Sequence, residues 1–593
     1  MTVQAWVTAT VVAAIMAALA SNRFGADLVL LVALAVLVVL GVISPADAFS
    51  GFANEGLLTV AFLYVIVAGL RQSGAVARVA ARLMGRPASA LAAQVRLVGP
   101  VAVMSAFVNN TPLVAVYLPL VSSLARRSGV ASSQLFLPLS YAAILGGVCT
   151  LVGTSTNVIV NGLILDYNRT ASGPPLAPFT MFTLSRVGVP VALAGIAYLL
   201  LAGRRLLKVR PAPFGDEDER RDYMVALRAG PGAAVVGLSL EAAGLRHLTG
   251  LFLAHIEREH DVLHAVAPDE VVRAGDVLVF VGVRASVVEL HQIPGLLPVA
   301  WDPAAGTRHD HRLIEAVIPP SSLVVGQTIR DGGFRTNYGG VIVAVHRQGE
   351  RLTGKLGDIR LRPGDAVLIE APPGFAARHE HQPAFHLVTG PEGPLLPRHD
   401  RAWLAAAVLV AFVVLSATGW VATLTAAMLA AGAMVLVGCA DLTVARQTVD
   451  WPVLIVIGAG IGMGKAVEAS GLAAVASGIV LGMTAGGGPV WLLGGVYALT
   501  WALTSVLSNT AAAVLVFPVA LRAAHTAGVA FEPLAMAIAI AASCEFTTPI
   551  GYQTNLMVQG PGGYRFADYL RYGGPLTLIC GIVAVTLLSA FYY

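Results

Sequence analysis

Two polar stretches, set in otherwise apolar sequence, occur twice in this chain in the same order. The first copy reads FVNNTPLVAVYLPLV over 107–121 and GGVCTLVGTSTNVIVNG over 146–162; the second reads LSNTAAAVLVFPVA over 507–520 and CEFTTPIGYQTNLMVQG over 544–560. Asn110, Thr111 and Pro119 return as Asn509, Thr510 and Pro518, while Thr150, Gly153, Asn157 and Gly162 return as Thr548, Gly551, Asn555 and Gly560. Such residues offer two chemistries. Where a helix unwinds at glycine, freed carbonyls and side-chain oxygens can ligate a hard cation. Unpaired N–H groups at a half-helix N-terminus can hold an anion. Small polar residues can also merely knit helices together by hydrogen bonds, but the ordered duplication favours one site made from two broken segments. Glu545, an acid in an apolar run, is either a ligand for a cation or proton or a carboxyl satisfied by helix packing.

The elements that must position these residues are membrane helices. Of 593 residues 56% are hydrophobic and 12% charged, with a mean hydropathy of +0.75, whereas a soluble domain carries about a quarter charged residues. The apolar sequence forms two blocks, 1–210 and 401–593, separated by 211–400. Apolar windows at 5–21, 27–44, 56–70, 186–203, 403–419, 421–438 and 574–592 approach the length of a span, and about ten or eleven spans are expected in all. The first stretch lacks a basic leader and reads as a membrane helix. Arg204, Arg205, Lys208 and Arg210 close the first block, and Arg398 and Arg401 precede the second. The positive-inside rule then places 211–400 in the cytoplasm of a multi-pass cell-membrane protein surrounded by lipid. The net charge of +4 comes largely from such span-end residues and gives no reason to expect nucleic acid. Cys149, Cys439, Cys544 and Cys580 lie in apolar sequence without metal-ligand spacing and read as buried small hydrophobes.

Residues 211–400 have a soluble texture, with the DEDERRD cluster at 216–222 and twelve of the thirteen histidines. They too are duplicated. GLSLEAAGL at 237 matches GQTIRDGGF at 326, and RAGDVLVFVG at 273 matches RPGDAVLIEA at 362, both 89 residues apart (326 − 237 and 362 − 273). Gly-Asp before an alternating apolar run suits a tight turn into a strand. Two small α/β modules follow, 211–300 and 301–400, joined near 295–312. His309-Asp310-His311 and His379-Glu380-His381 could ligate a metal but read as solvated loops. No nucleophile–base pair and no phosphate-cradling glycine order is present, so an enzyme is not expected.

The two modules resemble the C-terminal domain of TrkA-type regulators of potassium conductance (RCK-C), through the Gly-x-x-Leu/Ile turn and the Pro-Gly-Asp-x-Leu strand. That resemblance implies self-pairing and, in some members, a small bound ligand. The two membrane blocks resemble the divalent anion:sodium symporter family of the ion transporter superfamily, through Ser508-Asn509-Thr510, Asn109-Asn110-Thr111 and the Gly153 and Gly551 segments. GTSTN and PIGYQTN look most like its sulfate-permease-like branch with paired TrkA-type domains. The resemblance implies an α-helical polytopic membrane fold of inverted repeats with re-entrant hairpins, commonly dimeric. It further implies a sodium site at Asn109, Asn110 and Gly153 and another at Ser508, Asn509 and Gly551. Substrate would contact Asn110, Thr111, Asn509 and Thr510, with Thr156 and Thr554 as further candidates, and sodium ions would be coupling ions without any other cofactor. The first tip departs from the pattern in having Asn109 where the family has Ser. The expected activity is cation-coupled transport of a divalent oxyanion, sulfate before dicarboxylate. A sodium/proton or arsenite carrier of the same superfamily, and a ligand-gated channel, are the competing expectations.

Overall fold

The computed structural model describes the chain except residues 1, 21–24, 86, 88, 171–173, 211–223, 246–250, 259–260, 265–268, 283–293, 300–311, 321, 353–355, 372–374, 376–378, 380–383, 389–400, 485–486 and 550. The same series of helices is laid down twice. In the first half, Ala90–Ser105 and Asn110–Ser128 flank one break, Phe136–Gly147 and Ser155–Thr170 flank a second, and Ser185–Leu206 follows. In the second half the series is Gly488–Thr504, Asn509–Ala527, Glu532–Ser543, Gln553–Gly562 and Phe566–Tyr592. The quoted motifs are these breaks and the helix starts beyond them. Asn110–Ser128 and Asn509–Ala527 both end on a glycine, Gly129 and Gly528, at φ +65°, the left-handed conformation that terminates a helix without a Cβ penalty.

Among the described residues, four helical stretches, Pro45–Gln72, Trp451–Ala469, Asn509–Ala527 and Phe566–Tyr592, are long and apolar enough to cross a membrane, and they are accompanied by shorter apolar helices such as Val3–Leu19, Ala26–Val39 and Ala402–Thr418. The halves are interlocked. Helices Val3–Ala20 and Ala26–Val39 share a core with Trp451–Ala469 through Ile15, Leu34, Leu37, Ala459 and Met463. Reciprocally, Thr423–Leu436 lies on Glu55–Gln72, where Met434 packs on Gly69. Lys465 pairs with Asp166 at 3.3 Å.

Between the halves lie two five-stranded antiparallel sheets. The first contains β1 (Met224–Ala229), β2 (Leu251–Arg258), β3 (Asp261–His264), β4 (Val277–Gly282) and β5 (Leu296–Val299) in the order β3-β2-β4-β1-β5. The second contains β6 (Arg312–Val317), β7 (Val341–Arg347), β8 (Glu350–Arg351), β9 (Ala366–Ala371) and β10 (His386–Leu387) in the order β8-β7-β9-β6-β10, the same topology. Even the irregularities recur: the register shifts between Leu253 and His255 and again between Ile342 and Ala344. Asp276 and Asp365, the Gly-Asp residues of the motif, are buried at the turn into β4 and β9. They receive Arg258 at 2.9 Å and Arg347 at 2.7 Å, plus the amides of Arg273 and Arg362 at 2.8 Å each. A buried carboxylate needs such partners.

The two sheets face each other over Ala226, Val277, Val279, Val343, Ala344 and Leu368. Within this contact His255 Nδ1 meets Glu370 Oε1 at 2.9 Å, each side chain 3% exposed. Burial alone would lower the His255 pKa, but hydrogen bonds to Glu257 and Glu370 and their charge raise it to about 9. His309-Asp310-His311 lie outside the described residues, as do Glu380 and His381. His379 is not solvated as expected: its ring lies 4.4 Å from that of Phe375 in an aromatic cluster with Tyr338 and Phe385. No metal-holding group of three His, Cys, Asp or Glu occurs among the described residues. Cys439, Cys544 and Cys580 are buried, while Cys149 is half-buried.

Candidate binding site between the halves

Each tip is built around one asparagine. Ser105 Oγ lies 2.7 Å from Ala143 O and 2.6 Å from the Asn110 side chain. Thr504 Oγ1 likewise lies 3.1 Å from Ala542 O and 2.9 Å from Asn509. A hydroxyl has one proton. Given to the carbonyl, it leaves the hydroxyl an acceptor, so each asparagine turns its amide nitrogen inward. In that orientation Asn110 also donates to Gly153 O at 3.3 Å, and Asn509 donates to Gly551 O at 2.8 Å. The side-chain oxygens are then turned away from these carbonyls, an arrangement suited to a cation or a proton donor rather than to an anion. At the first tip that donor is present: the Tyr552 hydroxyl gives its proton to Asn110 Oδ1 at 2.5 Å.

The second breaks are tied by matching bonds. Asn157 Nδ2 donates to the carbonyls of Gly147 and Thr150, and Asn555 Nδ2 donates to those of Glu545 and Thr548. Gly153 N donates to Thr150 Oγ1 at 3.2 Å and Gly551 N to Thr548 Oγ1 at 3.0 Å. Tyr141 Oη and Tyr569 Oη donate to Phe546 O and Asn555 O, each at 2.6 Å. Unwound backbone in an apolar interior must find such partners. Close packing also demands the glycines: a Cβ on Gly153 would come within 2.5 Å of Gly147 O.

The halves meet here. Tyr552 Oη lies 3.3 Å from Thr154 Oγ1, and Thr111 Oγ1 donates to Gln553 Oε1 at 3.1 Å. The contacts Asn110–Gly153, Asn110–Tyr552 and Asn509–Gly551 therefore connect the N-termini of Asn110–Ser128, Ser155–Thr170, Asn509–Ala527 and Gln553–Gly562 at one centre. Four helix N-termini bring positive dipole ends and orphan N–H groups together, a setting for an anion.

The expected residues divide into two groups. Asn110, Thr111, Gly153, Asn509 and Gly551 belong to this network. Asn109 is half-buried beside the first tip and makes no capping bond, whereas Ser508 caps its helix by accepting from Ala511 N at 3.4 Å. Thr510 is buried in the first turn of its helix. Thr554 Oγ1 instead lies 2.9 Å from Ser140 Oγ, a helix-packing bond, and Thr156 is buried. Glu545, fully buried, accepts from Ser505 Oγ at 3.0 Å, Thr547 N at 2.9 Å, Thr548 N at 3.0 Å and the Thr547 hydroxyl. Its Cγ packs where a Cβ on Gly551 would lie, while the matching position in the first half is Gly147. Sequence reading missed Tyr552, Gln553, Ser105 and Thr504. The signal for the first two was the departure of GYQTN from GTSTN.

The chain matches the citrate transporter family over residues 11–541 and 484–593. It is 36% identical to a Chlamydomonas reinhardtii protein provisionally named a sulfur deprivation response regulator, covering 96% of this chain and 98% of that one. It is 30% identical to the uncharacterized transporter YfbS of Escherichia coli over 99% of each chain. Sodium/sulfate cotransporter 1 of Chlamydomonas reinhardtii is 26% identical, covering 98% of this chain and 89% of that one. With apolar helices throughout both halves and a polar centre where the breaks converge, this chain is a multi-pass membrane protein that belongs to the citrate transporter family.

Proposed function

We propose that the protein is a secondary active transporter that moves a small divalent oxyanion, sulfate before dicarboxylate, together with cations. The observation that carries this reading is the convergence of four helix N-termini on one centre, with two asparagine oxygens turned from the carbonyls beside them. Sodium is assigned to Asn109, Asn110 and Gly153 in the first half and to Ser508, Asn509 and Gly551 in the second. The anion lies between the tips, with Thr111 and Thr510 as hydroxyl donors. Asn110 and Asn509 border it, and Thr156 and Thr554 stand behind. The relatives named sodium/sulfate cotransporters support sulfate and sodium, while the family description leaves carboxylates as the alternative.

Charge requires coupling. A dianion entering against 100 mV faces about 4.6 kcal/mol, two charges at about 2.3 kcal/mol each. Two sodium ions cancel that opposition and a third makes entry favourable. The halves are assigned as inverted repeats that alternate access around the midplane, and 211–400 as a cytoplasmic pair of TrkA-type modules in a homodimer, open to a small ligand. Uptake of sulfate and succinate into proteoliposomes, with and without a sodium gradient, tests the proposal. Uptake indifferent to every imposed cation gradient would end the coupled mechanism. Glu545 favours a second reading, a cation/proton exchanger, which proton-driven sodium flux without anion transport would establish.

A further inference from the structure

Resting on the anion-carrier reading, we infer that Tyr552 is a specificity-determining residue of this site: its hydroxyl donates to an oxygen of the bound anion, and its ring limits the anion's size. Tyr552 corresponds to Thr154 in the repeat, yet the two hydroxyls lie 3.3 Å apart. Residues that correspond in two halves can touch only where the halves share a centre, which is where the anion is assigned. The larger side chain therefore fills space from the second half that threonine leaves open in the first.

Its hydroxyl is also the movable partner. Asn110 is held on its nitrogen side by Gly153, Ala143 and Ser105, so its oxygen is fixed in place. Tyr552 caps Gln553–Gly562 and accepts from Asn555 N and Leu556 N, and its ring is packed in the apolar core with the hydroxyl between Asn110 and Thr154. The phenol can turn its proton from the amide oxygen to an anion oxygen without moving the ring, giving a charge-assisted bond in place of a neutral one. The released Asn110 oxygen then becomes free to face a cation. A fully deprotonated oxyanion, which offers acceptors alone, fits a centre furnished with the hydroxyls of Tyr552, Thr154 and Thr111.

The test compares wild type, Tyr552→Phe and Tyr552→Thr in proteoliposomes, each first shown to elute as wild type does in detergent. Sulfate uptake is measured together with its inhibition by succinate and citrate. Phe retains the ring, so the half-saturating sulfate concentration should rise about tenfold or more while citrate stays excluded. Thr, the first-half residue, should let citrate inhibit at concentrations at least about tenfold lower than for wild type. A half-saturating concentration within about twofold of wild type in Tyr552→Phe would overturn the donor role. Citrate exclusion unchanged in Tyr552→Thr, or wild-type uptake of citrate as readily as sulfate, would overturn the size limit. Wild-type vesicles that accumulate none of the three anions would instead defeat the carrier reading, and the inference with it.

Discussion

Replacing Glu545 by glutamine tests whether the second half supplies the charged cation site. The substitution is nearly isosteric, and the bonds can survive it. Glutamine Oε1 can accept from Thr547 N, Thr548 N and the Thr547 hydroxyl, while its nitrogen donates to a Ser505 hydroxyl that turns to accept. Folding should therefore be little affected, since the loss of charge assistance is offset by relief of a buried charge. Cation binding should not be spared. Unit charges at contact in an effective dielectric of about 20 attract by about 4 kcal/mol. Glu545 stands behind Gly551, one layer from the assigned ion, so about half of that, ~2 kcal/mol or about thirtyfold in affinity, is expected to be lost. The assay is sodium titration of sulfate uptake at fixed sulfate. A half-saturating sodium concentration raised about thirtyfold is the expected result. If Glu545 instead carries a coupling proton, the sodium requirement will stand and the pH dependence of uptake will vanish. A variant unchanged in both sodium and pH dependence would refute the electrostatic role.

Gly153→Ala places a Cβ 2.5 Å from Gly147 O, which must push the first break from the Asn110 tip. At about 1–3 kcal/mol of overpacking, sulfate uptake should fall at least about fivefold at low sodium and recover partly at high sodium. Gly560→Val would bring a Cβ 2.8 Å from Gly364 O and 2.9 Å from Ala366 Cβ. It should loosen the second sheet from the membrane helices, seen as faster limited proteolysis within 211–400. The His255–Glu370 contact has a definite pH sign: a folded pKa of about 9, above the ordinary 6.5, stabilises the sheet pair fully below pH 6.5 and loses that stability as pH rises towards 9. A shift of that size corresponds to at most about 3 kcal/mol. Thermal unfolding at pH 6, 7.5 and 9 should show the decline, and His255→Gln should flatten it.

The duplication was legible because matching backbone breaks demand matching residues. Gly153 and Gly551, Asn157 and Asn555, Thr150 and Thr548 perform the same backbone task in both halves, so their types and spacing persist in sequence. The insert was legible for the same reason: Gly-Asp at 275–276 and 364–365 enters β4 and β9, with glycine φ at +92° and +83° and aspartate on an arginine. What sequence could not give was contact between halves. Tyr552 meeting Asn110, Gln553 meeting Thr111 and Ser140 meeting Thr554 pair residues remote in the chain, and no local periodicity records such a pairing. Thr554 stood out by its place in the motif, yet its hydroxyl serves helix packing. Ser105 and Thr504 looked like ordinary helix residues until each was found beside an asparagine.

The two halves differ in what covers the matching glycine of the helix after the second break, Gly162 or Gly560. In the first half Gly162 lies against Asn54 and Gly56, and Asn54 Nδ2 donates to Gly162 O at 2.9 Å. Asn54 and Asp450 are the N-caps of corresponding helices, accepting from Gly56 N at 2.8 Å and Val453 N at 3.2 Å. The residue corresponding to Gly162 is Gly560, and it is covered by Gly364 and Ala366 of the insert, with Arg565 paired to Glu350 at 2.8 Å nearby. The second sheet thus occupies the place that the membrane scaffold fills in the first half. Gln553–Gly562 has ten residues, about 15 Å of rigid rod, with Tyr552 at one end and the insert at the other. A short helix held in this way has few means of moving independently of its anchor. Changes at Gly560 should therefore reach the Asn110–Tyr552 bond, whereas the same change at Gly162 would disturb packing within the first half alone.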